Sequence, residues 1–440
     1  MGKRSGRRPD TDRATKRNNL AVFSATLVFV LFLGTILLGV LAYRKYLKTA
    51  PEKDHDLLSF IEALPEVKEG ENAPAEPGSY PEGSSSEPEI FNPYADELAD
   101  PDYMLENRIY TLPAVSPDEV TLSFTGDILF DDEYAVMATL KQRGGDLSSA
   151  IDKDALSILD STDLTVVNNE FPYTDRGVPT EGKQFTFRAK PSTASYLNEM
   201  GADVAILANN HVLDFGETGL SDTLSVLKDH GVIPLGAGMN IEEASHPVYF
   251  ILNGIKIGIV AATQIERNEY PNTKGATENS PGTFRCWSED LIYDRIREAD
   301  ENSDFVIACI HWGTEKEEEP DQFQLSQGPK LAEAGADLIV GDHPHALQGF
   351  TYFGDTPCIF SLGNFWFNSS TLDTGILRVT VDGSGLKSLQ FLPARQEECE
   401  TKMVYDGEKE RILRNMQRLS RGAVIDPEGF VTKGEAGEEN

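Results

Sequence analysis

The chain is short of histidine, cysteine and positive charge. Of 440 residues, 7 are histidine and 4 are cysteine, and 39 Lys and Arg stand against 72 Asp and Glu, a formal net charge of −33. A surface that acidic repels a phosphate backbone, which excludes nucleic acid as a partner. None of Cys286, Cys309, Cys358 and Cys399 forms a C-x-x-C pair, so a zinc-thiolate site is excluded. Cys309 and Cys358 sit in strand-like runs and read as buried thiols, while a bridge between Cys286 and Cys399 stays open. Long apolar runs are also scarce, with a single one from Leu20 to Tyr43 that carries no charged residue.

That run is long enough to cross a bilayer as one helix and longer than the apolar part of a cleavable signal. Cleavage after Ala42 is the alternative. Lys3, Arg4, Arg7, Arg8, Arg13, Lys16 and Arg17 precede the run, and only Arg44, Lys45 and Lys48 follow closely. This asymmetry places the N-terminus in the cytoplasm and the rest outside. The expected organisation is a basic tail over 1–19, a single-pass anchor in the cell membrane over 20–43, and an acidic Pro/Glu/Ser-rich tether over 44–118. An extracytoplasmic domain follows over 119–396, then a tail over 397–440 with one helix near Glu408–Leu419. The tether composition buries too little apolar surface to offset the entropy of ordering. Its last part, rich in aromatics, has enough apolar surface to dock loosely on the domain.

Within the domain, apolar β-branched runs alternate with amphipathic ones. Helices are expected at Ser149–Leu159, Pro191–Met200, Glu217–His230, Ser288–Ala299 and Gln322–Ala334. "PVYFILNGIKIGIVAA" reads as a hairpin turning at Asn253-Gly254. Parallel βα units mixed with hairpins predict an α/β fold of two mixed β-sheets flanked by helices.

Five strand-like runs end in polar groups suited to chemistry. "VTLSFTGD" ends at Asp127, "LTVVNNE" at Glu170, "VAILANNH" at Asn210 and His211, "FVIACIH" at His311, and "LIVGDHPH" at His343 and His345. Ligands of open α/β sheets bind beyond the carboxyl ends of the strands. Amides and imidazoles gathered at buried strand ends need partners, and Pro344 stiffens the chain between two imidazoles. Carboxylate, amide oxygen and imidazole together suit Mn²⁺, Fe or Zn²⁺ better than Ca²⁺. One or two ions are expected, two being bridged by one carboxylate. Trp312 is a candidate for the pocket wall or for ordinary core packing, Arg188 for contact with an anionic substrate or for a surface ion pair, and Trp366 and Phe367 for the mouth of the pocket.

The ordered set "TGDILF", "NNE", "LANNHVLDFG", "HWGTEKEEEP", "GADLIVGDHPHALQG" and "FSLGNFWF" resembles the CapA family of poly-γ-glutamate capsule synthesis proteins, over about Val120–Arg395. The resemblance implies a calcineurin-like metallophosphoesterase sandwich. It implies that Glu170 bridges two ions, that Asp127 and His345 hold one, and that Asn210, His311 and His343 hold the other. His211 is then the general acid. The superfamily's D-x-H motif has Leu129 in its third place here, so one ligand is missing; Asp131 and Asp132 are the nearby substitutes, though a surface turn is the role their position favours. The implied role is capsule or anionic polymer biosynthesis beside membrane polymer synthase subunits. A phosphoesterase acting on a phosphorylated envelope component and a non-catalytic scaffold are the other readings.

Overall fold

A computed structural model describes residues 92–116, 118–265, 274–287 and 289–435. The anchor expected over 20–43 lies outside the described residues. The strands are β1 (Ile109–Tyr110), β2 (Glu119–Ile128), β3 (Leu164–Asn169), β4 (Val204–Ile206), β5 (Ile233–Leu235), β6 (Ala237–Gly238), β7 (Val248–Leu252), β8 (Ile255–Thr263) and β9 (Gly282–Thr283). They continue with β10 (Phe305–His311), β11 (Leu338–Asp342), β12 (Leu347–Phe353), β13 (Thr356–Leu362), β14 (Asn364–Trp366), β15 (Leu372–Asp382), β16 (Gly385–Glu397) and β17 (Glu400–Met403). One sheet has seven strands in the order β1-β7-β8-β10-β11-β13-β12; the other has eight, β17-β16-β15-β2-β3-β4-β5, with β14 beside β2. The strands β8, β10, β11 and β13 are mutually parallel, as are β2, β3, β4 and β5. Hairpins extend each parallel block, so both sheets are mixed as expected. The β7–β8 hairpin turns at Asn253-Gly254, whose φ values of 54° and 73° fit a type I′ turn.

The period of two along each strand sorts side chains between an inner and an outer core. In β10, Phe305, Ile307 and Cys309 enter the core shared by the two sheets, whereas Val306, Ala308 and Ile310 pack outside, with Ile292 and Ile296 of the helix Glu289–Asn302. In β3, Leu164 and Val166 face inward and Val167 outward, where it meets Leu197, Leu220 and Leu227 of the flanking helices. Strands buried on both faces explain the unbroken apolar runs in the sequence. Truncating one such inner residue, Ile307→Ala, removes contacts on every side and costs about 2–5 kcal/mol.

A repeated aspartate sets the register of the parallel strands. Asp163, Asp203, Asp304 and Asp337 stand just before β3, β4, β10 and β11. Each gives its N–H to the carbonyl of one residue on the neighbouring strand and takes that residue's N–H on its carboxylate. The pairs are Asp163–Thr121 (2.9 and 2.7 Å), Asp203–Thr165 (2.9 and 2.8 Å), Asp304–Lys256 (2.7 and 2.8 Å) and Asp337–Val306 (2.8 and 2.8 Å). This two-point clamp satisfies a donor that would otherwise end the ladder unpaired. A slip of one residue would break both bonds, so the strands leave the core in step and their carboxyl ends lie level.

The folded unit is larger than 119–396. Upstream, β1 adds a parallel edge strand to β7, and Lys256, 3 % exposed, meets Glu97 at 2.6 Å. Downstream, the helix Asp406–Leu419 sends Ile412, Leu413 and Met416 into the inner core. Both segments look polar in sequence because each buries only one face. The helix Ala135–Gln142 was not expected; its buried side is Val136, Met137 and Leu140. All four cysteines are free and buried. A Cys286–Cys399 bridge is ruled out because the two belong to outer cores on opposite sheets.

Candidate metal centre

Strand parity carries the chemistry to one place. In β3, Asn168 and Glu170 continue the inward set of Leu164 and Val166; in β10, His311 continues Phe305, Ile307 and Cys309. In β11, Asp342 continues Leu338 and Val340. In β2 a register shift between Thr125 and Asp127 turns the carboxylate. Gly126 permits this, since a Cβ there would lie 1.9 Å from the carbonyl oxygen of Gly363. At the ends of the strands the apolar filling stops and polar side chains from both sheets meet.

All seven residues expected at the site come together. Glu170 lies at the middle, fully buried, and neither of its oxygens has a hydrogen-bond partner. The imidazole nitrogens nearest to it are His311 Nε2 at 3.4 Å, His345 Nδ1 at 3.9 Å and His211 Nε2 at 4.0 Å. On one side, His311 Nε2 stands 2.9 Å from Asn210 Oδ1 and 3.1 Å from His343 Nδ1. On the other, His345 Nδ1 stands 2.8 Å from Asp127 Oδ2 and 2.9 Å from Asn364 Oδ1. Two groups of ligand atoms therefore share Glu170. Glu170, His311 and His343 form one, and Asp127, Glu170 and His345 the other; within each group the atoms lie within 4.8 Å of one another.

The electrostatics suit cations. Burial alone would raise the carboxyl of Glu170, but the imidazoles of His345, His311 and His211 outweigh it and hold the group below the usual carboxylate range. Burial, reinforced by His311 and His345, keeps His343 well below its ordinary value, which is the neutral form a metal requires. For His345 burial works the other way, yet Glu170 and Asp127 raise it to about 10. Burial and the nearby Asp127 and Glu170 push Asp342 well up. The crowding of Asp127, Glu170 and Asp342 is what raises Asp342, and it favours positive charge at His345 or on a bound cation. The backbone is also held in place at a cost. His343 and His345 have φ of 102° and 55°, each a conformation costing on the order of 1–3 kcal/mol and retained at functional sites.

His211 is oriented by a shell that the sequence did not single out. Its Nδ1 lies 2.7 Å from Asp214 Oδ2, and its ring stacks on Phe187 with centroids 4.1 Å apart. Asp214 also accepts the Phe187 N–H and a hydrogen bond from the ammonium of Lys183. Lys183, on the long 171–190 excursion, donates to the Asn210 carbonyl at 2.5 Å as well. A cavity of about 590 Å³ reaches His343, Asn210 and His211, and its walls include Lys183, Gln184, Phe185, Gln264, Thr314 and Glu315.

Some expectations are corrected. Asp131 accepts the N–H groups of Glu133 and Arg188, and Asp132 pairs with Lys141 and Lys190, so neither replaces the missing histidine. Leu129 is fully buried in the outer core. Trp312 and Trp366 are core residues whose Nε1–H groups bond to the Phe360 and Cys399 carbonyls. Arg188 lies over the Phe215 ring at 4.7 Å and is not part of the cavity wall. Phe367 does flank His345, with centroids 4.8 Å apart.

The comparisons with known proteins agree with the motif set. The capsule biosynthesis protein CapA of Bacillus anthracis is 28% identical over 319 residues, covering 70% of this chain and 75% of that protein. The PGA biosynthesis protein CapA of Bacillus subtilis is 28% identical over 283 residues, covering 63% and 72%. A solved structure of a hypothetical protein from Thermus thermophilus aligns at a TM-score of 0.39 and 13% identity, covering 63% of this chain and 99% of that one. Residues 121–369 match the family model described as bacterial capsule synthesis protein PGA_cap, and the chain belongs to that family.

Proposed function

We propose that this protein acts in the synthesis of a poly-γ-glutamate type of capsule or related anionic surface polymer. It works from the outer face of the cell membrane, held by the apolar run at 20–43 and beside membrane polymer synthase subunits. Its domain is a calcineurin-like metallophosphoesterase sandwich carrying a divalent-metal site for hydrolysis or transfer at a phosphoryl group. The observation that carries this reading is Glu170: a buried carboxylate with neither oxygen hydrogen-bonded, ringed by imidazoles, and with a ligand set on either side. The donors are imidazole nitrogen, carboxylate oxygen and amide oxygen, which fit Mn²⁺, Fe or Zn²⁺.

Asp127, Glu170 and His345 would hold one ion, and Glu170, Asn210, His311 and His343 the other. When bound, such ions polarise a phosphoryl oxygen and make a bound water a better nucleophile. The chain supplies the remainder. Asp214 holds the Nδ1 side of the His211 ring, which leaves Nε2 turned toward Glu170 and the cavity. From there Nε2 can pass a proton to or from a leaving group. Phe187 on one face of the ring excludes water from it.

The test has two parts. Purified protein loaded with Mn²⁺ should hydrolyse an aryl phosphate ester, and His211→Ala should lower turnover by about 10²–10⁴-fold; an unchanged rate removes His211 from that role. Deleting the gene should alter the surface polymer of a polymer-forming host. The burial of Leu129 where a histidine ligand was expected favours a second reading, a non-catalytic scaffold. A fully folded protein that binds no metal would support it against the first.

A further inference from the structure

The first ligand group lacks the histidine that Leu129 replaces, and the structure shows what stands in the gap. The short strand β14 runs parallel to β2, with Asn364 in register with Asp127. Two backbone bonds hold β14 there: Asp127 N–H to Gly363 O at 2.9 Å and Leu129 N–H to Trp366 O at 3.0 Å. The second bond belongs to Leu129 itself, whose side chain packs in the outer core. The same pairing therefore directs Leu129 away and brings the Asn364 amide in. Asn364 is 1 % exposed; its Oδ1 lies 2.9 Å from His345 Nδ1, and its Nδ2 has no hydrogen-bond partner. A buried amide with one end unsatisfied is costly unless its other end has a strong partner. Three oxygens, Asp127 Oδ2, Asn364 Oδ1 and Glu170 Oε2, point at the one nitrogen of His345, at 2.8, 2.9 and 3.9 Å.

Resting on the two-ion reading, we propose that Asn364 is the fourth protein ligand of the Asp127 ion, its amide oxygen taking the place of the absent imidazole. The two ion positions then differ in chemistry. The Asp127 position has one nitrogen and three oxygens, whereas the other has the nitrogens of His311 and His343 with oxygens from Glu170 and Asn210. Oxygen-rich sets suit Mn²⁺, and sets richer in imidazole suit Zn²⁺ and Fe. The protein should therefore take Mn²⁺ at the Asp127 position and Zn²⁺ at the other when offered both.

The experiment is equilibrium metal binding to the full chain in detergent, with metal content measured directly and no activity required. The wild type should bind two Mn²⁺ ions in separable steps. Asn364→Leu, close in shape but without a donor, should weaken one step by about 10–100-fold and leave the other in place. Asn364→Asp, with a carboxylate for the amide, should tighten that same step by at least tenfold even if the leucine variant fails to fold. Two ions bound by folded Asn364→Leu with wild-type affinities would overturn the role of Asn364 alone, as would an Asp variant no tighter than wild type. A wild type that binds no divalent ion would overturn the two-ion reading and this assignment with it.

Discussion

His211 Nδ1 hydrogen-bonds to Asp214 Oδ2 across 2.7 Å, and Asp214 is wholly buried. The carboxylate is saturated, since its second oxygen takes the ammonium of Lys183, whose side chain is 5 % exposed. Lys183 therefore acts on the site through Asp214 and directly at the Asn210 carbonyl, tying the 171–190 excursion to the turn that carries Asn210 and His211. A buried pair of this kind is costly to break and nearly neutral to replace whole.

This gives the first prediction. Asp214→Asn should lower stability by about 3–5 kcal/mol, because it removes the buried carboxylate charge that the Lys183 ammonium, the His211 ring and the Phe187 N–H share. Adding Lys183→Met should restore at least half of the loss, measured as a double-mutant cycle in urea. If the two losses simply add, the pair is not coupled. If the metal-loaded protein hydrolyses an aryl phosphate as proposed, Asp214→Asn should also lower turnover by about 10–100-fold, the usual cost of removing a group that orients a functional imidazole.

The second prediction concerns the shared carboxylate. Glu170 belongs to both ligand groups, His343 to one and His345 to the other. Glu170→Gln should abolish tight binding of both ions. His343→Ala and His345→Ala should each remove one and keep the other, as read by metal content after desalting. Saturating metal should raise wild-type stability by about 2.7 kcal/mol for each ion at a hundredfold excess over its dissociation constant. His345→Ala binding neither ion would mean that the two positions are not separate.

Most of the ligand set is legible in the amino-acid sequence, and the reason lies in parity. Once Leu164, Val166 and Ile307 are placed inward, Glu170 and His311 must face each other across the same gap, and the same count leads to Asn168 and Asp342. The counting stops where strands stop. Asn364 reaches the site through pairing of β14 with β2, a contact between segments remote in sequence. Lys183 arrives on a long excursion without periodicity, so nothing local marks it. The aromatic stretch upstream of β2 reads as able to dock loosely on the domain, but which residues engage β7 and β8, Ile109 and Glu97 among them, shows only in the folded chain. Likewise Asp406–Leu419 has an apolar stripe, and a stripe alone does not say which core it enters.

The docking of the upstream residues supplies the third prediction. The ammonium of Lys256 is paired with Glu97 at 2.6 Å and lies 5.4 and 5.1 Å from the rings of Tyr94 and Tyr249. Residues 92–116 therefore cover a charge that would otherwise lie against apolar surface. A chain starting at residue 92 should unfold at the same urea concentration as one that includes the tether. Removing residues 92–116 should lower stability by several kcal/mol, of which Glu97→Ala alone accounts for about 1–3 kcal/mol, since it leaves a charge without its partner. Equal stability with and without 92–116 would show that the segment is only a tether.

The fourth prediction comes from the aspartate clamps. Asp203 is partly buried before β4, and burial raises its carboxyl to about 6, against the lowering effect of its bond from the Thr165 N–H. An acid whose folded value lies above its unfolded value, near 3.9, favours folding most when protonated. Its contribution is full below about pH 4 and is lost as pH rises to about 6. Asp203→Asn keeps an oxygen for the Thr165 N–H and never ionises. The variant should therefore match the wild type near pH 4 and exceed it by about 1–2 kcal/mol above pH 6.5, after allowing for partial exposure. The readout is the difference in urea midpoint between the two proteins across that range. A difference that stays constant with pH, or that favours the wild type at neutral pH, would mean that Asp203 remains an ordinary carboxylate and that the clamp stabilises the register in its charged form.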